Sequence, residues 1–342
     1  MRVAVLGIGS IGGVILAGLA DTDVEIVAVS RGPTAQVLSS EGLVVHTPEG
    51  VIESIPPDRY TLVDSEAGPL PEAVVGSCEA AIICGKAYST PILSQIADEI
   101  LSDEGIAISI QNGMGHAQQI SSRLGRSRTL GGATTHGAWR RTDGIHWVGR
   151  GSITLGALEG GLPNEIMTSL VSALDNAGLS PIWTEDISRS IWQKLLINIA
   201  INPICAISGV RNGALLESDL WEQSQELLEE SLSVARASGI DISDSEMQDL
   251  LIEVVDSTSE NRCSMLQDLM AGRKTEIDSL CGYIIMMGEG LGIPTPLNSM
   301  LMALVKGVEM SSQRDSLNKT HVKVKPNIIP SRLRCINDQF GN

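Results

Sequence analysis

Four apolar residues, Val3-Ala4-Val5-Leu6, run directly into Gly7-Ile8-Gly9-Ser10-Ile11-Gly12 and then into an amphipathic segment reaching about Ala20. A strand, a glycine turn and a helix in that order leave few folds open, because this is the opening unit of a doubly wound parallel sheet. In such a unit Gly7 permits the tight turn, Gly9 lets a pyrophosphate approach the backbone, and Gly12 lets helix pack closely on strand. Ser10 and Ile11 then begin a helix whose N-terminus faces the phosphates. The expectation is a dinucleotide site built on Gly7, Gly9, Ser10, Ile11 and Gly12.

The second strand, Glu25 to Val29, ends in Ser30-Arg31 rather than in an acid. A carboxylate there would accept the ribose hydroxyls of NAD, whereas an arginine pairs with the 2′-phosphate of NADP and stacks on adenine. Arg31 therefore points to NADP as cofactor. Residues 41 to 64 alternate apolar and polar around Gly42, Gly50 and Pro56-Pro57, which predicts short strands and turns rather than a crossover helix. Two further buried strands, Ala80 to Cys84 and Ile106 to Ile110, end in Gly85-Lys86-Ala87 and Gln111-Asn112-Gly113-Met114-Gly115. Ligands of open parallel sheets lie beyond the strands' carboxyl ends, so Lys86 and Asn112 are placed at cofactor and substrate. A solvated loop lysine and a plain turn asparagine are the bland alternatives. Leu130 to Ala138, Ile145 to Val148 and Ser152 to Leu158 read as three more strands. His136 has no carboxylate at a defined spacing and is read as a structural or pocket-wall residue rather than an acid or base. A helix from Pro163 to Ala177 and an edge strand at Ile182-Trp183 complete this half.

From Asp186 onward strand signals vanish. Trp192 to Pro203 predicts a core helix, apolar nearly all round except for Lys194, Asn198 and Asn202. Their four-residue spacing stacks an ammonium and two amides on one face, where they must meet polar groups, water or a polar ligand. A satisfied interhelical network is the competing reading. Asp219 to Ser238, Asp244 to Ser257, and Thr275 to Glu289 closed by Gly290 have helical periodicity as well. Between them, Asn261, Ser264 and Glu276 are candidates to face Lys194, although Thr275 and Glu276 would equally suit an ordinary helix start. The expected organisation is an α/β dinucleotide-binding domain over 1–184, a helical substrate domain over 185–312, and a flexible basic tail over 313–342, where Pro326 and Pro330 interrupt any helix.

Composition narrows the function classes. With 43% hydrophobic but only 3% aromatic residues, the core is aliphatic, as suits buried parallel strands and helices. A net charge of −17 disfavours nucleic acid and anionic membranes as partners and leaves a small molecule as the expected one. No uninterrupted apolar run approaches the ~18 residues of a membrane span. Six cysteines without a CxxC pair fit a reducing, cytoplasmic setting. The five histidines lack paired ligand spacing, so no metal site is expected.

Taken with Gly85-Lys86-Ala87, Asn112-Gly113-Met114-Gly115, Trp192-Gln193-Lys194-Leu195, Asn198, Asn202, and the run from Asn261 through Ser264 and Asp268 to Glu276 and Asp278, the chain resembles the ketopantoate reductases over about residues 1 to 310. These 2-dehydropantoate 2-reductases use NADPH to make pantoate for pantothenate and coenzyme A synthesis. The resemblance implies a Rossmann-type domain followed by an all-α domain, as in 6-phosphogluconate dehydrogenase. It further implies Lys194 as general acid, Glu276 as its assistant and holder of the substrate hydroxyl, and substrate contacts from Asn112, Asn198, Asn202, Asn261 and Ser264. A homodimer is compatible with it.

The chemistry agrees. Reducing a 2-keto carbon with hydride from a nicotinamide builds negative charge on oxygen, which must be protonated or stabilised. A buried lysine whose pKa is lowered by burial and pushed back by Glu276 can do both near neutral pH. Two alternatives remain: an NADP-dependent reductase of another small 2-keto acid, and a non-catalytic NADP-binding redox sensor, which would need no acid aimed at the reacting centre.

Overall fold

The computed structural model of the chain describes residues 1–217 and 219–321. Its first half alternates strands and helices: β1 (Arg2–Leu6), α1 (Ser10–Ala20), β2 (Glu25–Ser30), α2 (Gly32–Ser40), β3 (Leu43–His46), β4 (Ile52–Ile55), β5 (Thr61–Asp64), β6 (Cys78–Ile83), α3 (Thr90–Ile100), β7 (Leu101–Ser109), α4 (His116–Leu124), β8 (Thr129–Thr134), β9 (Gly137–Arg141), β10 (Gly144–Gly149), β11 (Ile153–Ala157), α5 (Glu165–Asn176) and β12 (Pro181–Trp183). Eight strands form one sheet in the order β12-β11-β8-β7-β6-β1-β2-β5. From β5 to β8 every pairing is parallel, while β11 runs antiparallel to β8. Val3, Ala4, Val5 and Leu6 are fully buried, which is why β1 is an unbroken apolar run: helices cover both faces of the sheet.

The strand order reverses beside β1, between β2 on one side and β6 on the other. A ligand crevice forms at such a point. Two glycines keep it open. Gly7 follows β1 at φ +93°, and a Cβ there would sit 2.6 Å from the backbone nitrogen of Gly85, which follows β6.

A second, four-stranded sheet (β4-β3-β10-β9) packs over α1, with Ile145 of β10 against Gly13. The segment expected as one strand over Leu130 to Ala138 is in fact divided between the two sheets. The Thr134 hydroxyl accepts from the His136 backbone N–H at 3.2 Å, and this side-chain competition turns the chain from β8 into β9.

After Trp183 the described elements are helical: α6 (Ile187–Ser208), α7 (Leu220–Ala237), α8 (Asp244–Ser257), α9 (Ser264–Met270), α10 (Cys281–Leu291) and α11 (Pro296–His321), with short 3-10 turns. α6 runs through a second apolar core. With 22 residues and mean hydropathy 1.3 it matches a membrane span in length and composition, yet 67% of its most apolar window is buried inside the protein. Its N-terminal turns also dock on the sheet, because Gly131 and Gly156 carry no side chains to hold Ile187 and Ile191 away.

Two expectations for this half need correction. The helix expected over Thr275 to Glu289 is a 3-10 turn at Ile277–Ser279 followed by α10, which ends at Gly292 rather than Gly290. Thr275 starts the 3-10 turn rather than α10, its hydroxyl accepting from the Ile277 N–H at 3.3 Å. Its N–H and hydroxyl both donate to Glu309 Oε1 of α11, at 2.7 and 2.6 Å, and this holds the segment out of the helix. α11 is described as far as His321, into the segment expected as tail from residue 313. The remainder of the expected basic tail lies outside the described residues.

Candidate active site

The glycine turn has the geometry its sequence requires. Gly9 is the N-cap of α1, makes no side-chain cap hydrogen bond, and has open space where a Cβ would stand. A Cβ on Gly12 would collide with the Gly7 carbonyl. The free amides of Ser10 and Ile11 thus stand over an accessible face, fitted to a pyrophosphate. Arg31 precedes α2 with its side chain 51% exposed and Nη1 3.7 Å from Glu66 Oε1. It is free to turn toward a phosphate, with Glu66 as competitor. A second cation was not foreseen. Arg140 of β9 donates to the Ile8 carbonyl at 3.1 Å and to Thr34 Oγ1 at 3.0 Å, tying the glycine turn to α2. Only the pairing of β9 into the small sheet brings it there.

At the ends of β6 and β7 the two halves meet. Glu276 is 8% exposed and collects three donors from the first half: Lys86 Nζ at 3.4 Å and Asn112 Nδ2 at 3.3 Å on Oε2, and the Ala87 N–H at 3.3 Å on Oε1. Lys86 Nζ also donates to Asp268 Oδ2 at 2.7 Å, while Arg273 Nε donates to the other oxygen of that buried carboxylate at 2.9 Å. Burial acts against the Lys86 charge, but Glu276 and Asp268 outweigh it and raise its pKa above the usual lysine value. Asp268 is a site residue missed from sequence as a partner. It lies on α9, a short helix in the stretch to which the sequence assigns no element of its own.

The space between these groups is small. Asn112, Asn202, Ser264, Met265, Asp268, Glu276 and Leu280 enclose about 10 Å³. That is room for one water. The cleft is therefore closed, with Lys86 lying across its carboxylates. Sequence-predicted residues from β7, α6, α9 and the segment before the 3-10 turn come together here. Asn261 does not reach the cavity wall: it is exposed ahead of α9, where its carbonyl accepts from the Asn212 N–H at 3.0 Å.

Asn198 and Lys194 stand about one and two turns along α6 from Asn202, on the same face. Burial lowers the Lys194 pKa from 10.5 to about 8, with Glu276 pulling the other way. Among the described residues Lys194 makes no hydrogen bond or ion pair. Its link to Glu276 is electrostatic through space, and the direct partner of Glu276 is Lys86.

A buried network holds the strand ends in place. Gln111 Nε2 donates to the Gly85 carbonyl at 2.7 Å and to Thr90 Oγ1 at 2.9 Å. His116 bridges Thr90 Oγ1 and the Asn112 carbonyl, at 3.2 and 3.0 Å. The Lys86 and Asn112 turns are thereby fixed to one another. Gly113, at φ +91°, presses against the Ser279 backbone, and the Met114 N–H donates to the Ser279 carbonyl at 3.2 Å. His136 lies elsewhere. It accepts from the Gly151 N–H at Nδ1 (2.9 Å) and meets the Leu179 carbonyl through Nε2 (3.1 Å), a neutral tautomer that burial favours by lowering its pKa.

Known proteins match this arrangement. The family described as "Ketopantoate reductase PanE/ApbA" matches residues 3–160, and its "C terminal" counterpart matches 186–309. The chain is 34% identical over 311 residues to a 2-dehydropantoate 2-reductase of Pyrococcus horikoshii, covering 90% of this chain and 98% of the relative. It is 31% identical to the enzyme of that name from Archaeoglobus fulgidus, with the same two coverages. The crystal structure of a PanE/ApbA family ketopantoate reductase from Ralstonia eutropha superimposes with TM-score 0.80 at 25% identity, over 92% of this chain and all of the other. D-mandelate dehydrogenase, solved with NADH and anilino(oxo)acetate, shares the fold with TM-score 0.81 at 21% identity, over 92% and 100% of the two chains. On its sequence, over nearly the full length of these relatives, the chain belongs to the ketopantoate reductase family.

Proposed function

We propose that this protein reduces 2-dehydropantoate to pantoate with NADPH, serving pantothenate and coenzyme A synthesis, with residues 1–184 as the cofactor half and 185–312 as the substrate half. The observation that carries the reading is the convergence of Asn112, Asn202, Ser264 and Glu276 on one closed cavity beside a lysine whose pKa is lowered to about 8. A redox sensor has no use for such an acid.

The chain's own groups divide the work. Gly7, Gly9, Ser10, Ile11 and Gly12 cradle the pyrophosphate, and Arg31 takes the 2′-phosphate. When bound, the cofactor supplies hydride to the keto carbon. Asn112, Asn202 and Ser264 offer the amide and hydroxyl donors that orient a small keto acid, with Asn198 on the same helix face as Asn202. Lys194 gives its proton to the oxygen that becomes the hydroxyl, and Glu276 accepts a hydrogen bond from that hydroxyl. Substrate entry requires the cleft to open and Lys86 to yield one of its carboxylates, so closure accompanies binding.

Cys78, Cys84, Cys205, Cys263 and Cys281 are free thiols, which supports a reducing cytoplasmic setting. A second reading keeps the chemistry and changes the ligands, since a protein of the same fold was solved with NADH and anilino(oxo)acetate. Following NADPH and NADH oxidation over a panel of ketopantoate, unbranched 2-keto acids and benzoylformate separates them. Preference for ketopantoate with NADPH is expected. Faster turnover of benzoylformate with NADH would overturn both assignments.

A further inference from the structure

The small sheet carries a cluster that takes no part in this chemistry. His46 of β3 and His146 of β10 are direct partners in a parallel strand pairing, so both side chains leave the same face of the sheet. That face points away from α1, because the neighbours Ile145 and Trp147 are buried in the core on the other side. The two imidazoles stack with centroids 4.2 Å apart and an interplanar angle of 5°. Both Nε2 atoms are turned to Asp143, in the β9–β10 turn: His146 Nε2 lies 2.9 Å from Oδ1, and His46 Nε2 lies 3.7 Å from Oδ2 and 3.3 Å from the Asp143 carbonyl oxygen. The three potential ligand atoms lie within 4.8 Å of one another.

We propose that His46, His146 and Asp143 form a binding site for a divalent transition-metal ion of the zinc, nickel or copper type. Two imidazole nitrogens and a carboxylate oxygen are the donor set such ions favour, whereas magnesium and calcium prefer oxygen alone. The carbonyl oxygen of Asp143 or a water supplies a fourth position. A metal takes the Nε2 lone pairs that now face Asp143, so binding displaces any proton held there. Both histidines are partly accessible and Asp143 is exposed, giving the ion an entry path. Asp143 and His146 stand three residues apart in one turn, but His46 is distant in sequence and joins them only through the β3–β10 pairing, so the histidines' spacing gave no signal. An ion here is structural: it fastens the β9–β10 turn to β3, and no residue of the closed cavity touches it.

Calorimetric titration of the full-length protein with zinc chloride tests the proposal, alongside His46→Gln, His146→Gln and Asp143→Asn. One ion per chain is expected, unaffected by excess magnesium, with each histidine change weakening binding at least about tenfold. Copper-loaded protein should give an electron paramagnetic resonance spectrum with coupling to two nitrogens, reduced or lost in either histidine variant. Zinc should raise the melting temperature of the wild type but not of the double histidine variant, because only the folded strand pair assembles the ligands. Far-ultraviolet circular dichroism checks that the variants fold. Wild-type zinc affinity in the double variant would place the ion on other groups and overturn the assignment, as would the absence of zinc binding by the wild type.

Discussion

Two lysines, one from each half of the molecule, act on the same carboxylate and respond in opposite directions. Lys86, at the end of β6, touches Glu276 and Asp268, and these charges raise its pKa despite burial. Lys194, on α6, has no such contact, and burial lowers its pKa to about 8 with only the more distant pull of Glu276 opposing. The difference supports the roles proposed for them. A lysine locked between two carboxylates holds its proton and acts as a fixed positive charge, whereas one poised near 8 can donate it at neutral pH. Both lysines stand out in the sequence, where Glu276 is expected to face Lys194, yet its direct partner is Lys86.

The largest expected effect breaks this comparison directly. Lys194→Ala should lower kcat by roughly 10²–10⁴ with NADPH binding nearly intact, since α6 lies in the other half. The wild type should lose activity above about pH 8 as Lys194 deprotonates, and the variant should lack that limb. Lys86→Met is the matched control. It should raise KM and weaken closure but keep the alkaline limb, and a limb that vanishes in the Lys86 variant instead would reverse the two roles. Glu276→Gln should slow turnover less than Lys194→Ala does.

The same asymmetry predicts a stability effect. In the unfolded chain Lys194 keeps its proton up to about 10.5, but in the folded state only to about 8. Between those values the unfolded state binds more protons, so stability rises with pH. Below pH 8 the folded state carries the full cost of a charge withheld from water, up to about 3 kcal/mol. Lys194→Met should therefore be the more stable protein at pH 7, read as a higher urea midpoint, and the gain should fade as the pH passes from 8 toward 10.5. A destabilised Met variant would mean that the ammonium is satisfied in the fold.

At the far end of the crevice the comparison concerns a contact that is exposed. Arg31 faces solvent beside Glu66, so its worth depends on the cofactor. Arg31→Ala should weaken NADPH by about 1.5–3 kcal/mol and NADH far less, measured as the ratio of KM values. Equal losses would transfer 2′-phosphate recognition elsewhere.

The two halves also differ in how much their sequences disclosed. The cofactor half was legible because its site is made of backbone: a Cβ at Gly7 or Gly12 would collide, and Gly9 leaves open space over the turn, so the spacing itself encodes the turn. The ends of β6 and β7 were legible for the same reason. In the helical half the α6 stripe was visible as a periodicity, but its partners were not. Asp268 and Glu276 reach the cavity through the packing of α9 and a short 3-10 turn, and no local propensity fixes such packing. Arg140 and the Thr90–Gln111–His116 network likewise depend on contacts between distant segments.

The smallest effect tests whether the closed cavity belongs to the substrate. Ser264 begins α9 and contributes to the cavity wall opposite Asn112, but it is not bonded to Lys86, Glu276 or Asp268. Removing its hydroxyl therefore disturbs neither charge nor acid. If that hydroxyl binds ketopantoate in ground and transition states alike, Ser264→Ala should raise KM by about 2- to 10-fold, the worth of one neutral hydrogen bond, and leave kcat and the alkaline limb unchanged. A fall in kcat with KM unchanged would mean the hydroxyl acts only as the oxygen gains charge, and Ser264 would then belong with Lys194. No change in either constant would place the substrate on the side of the cavity formed by Asn112 and Asn202 alone.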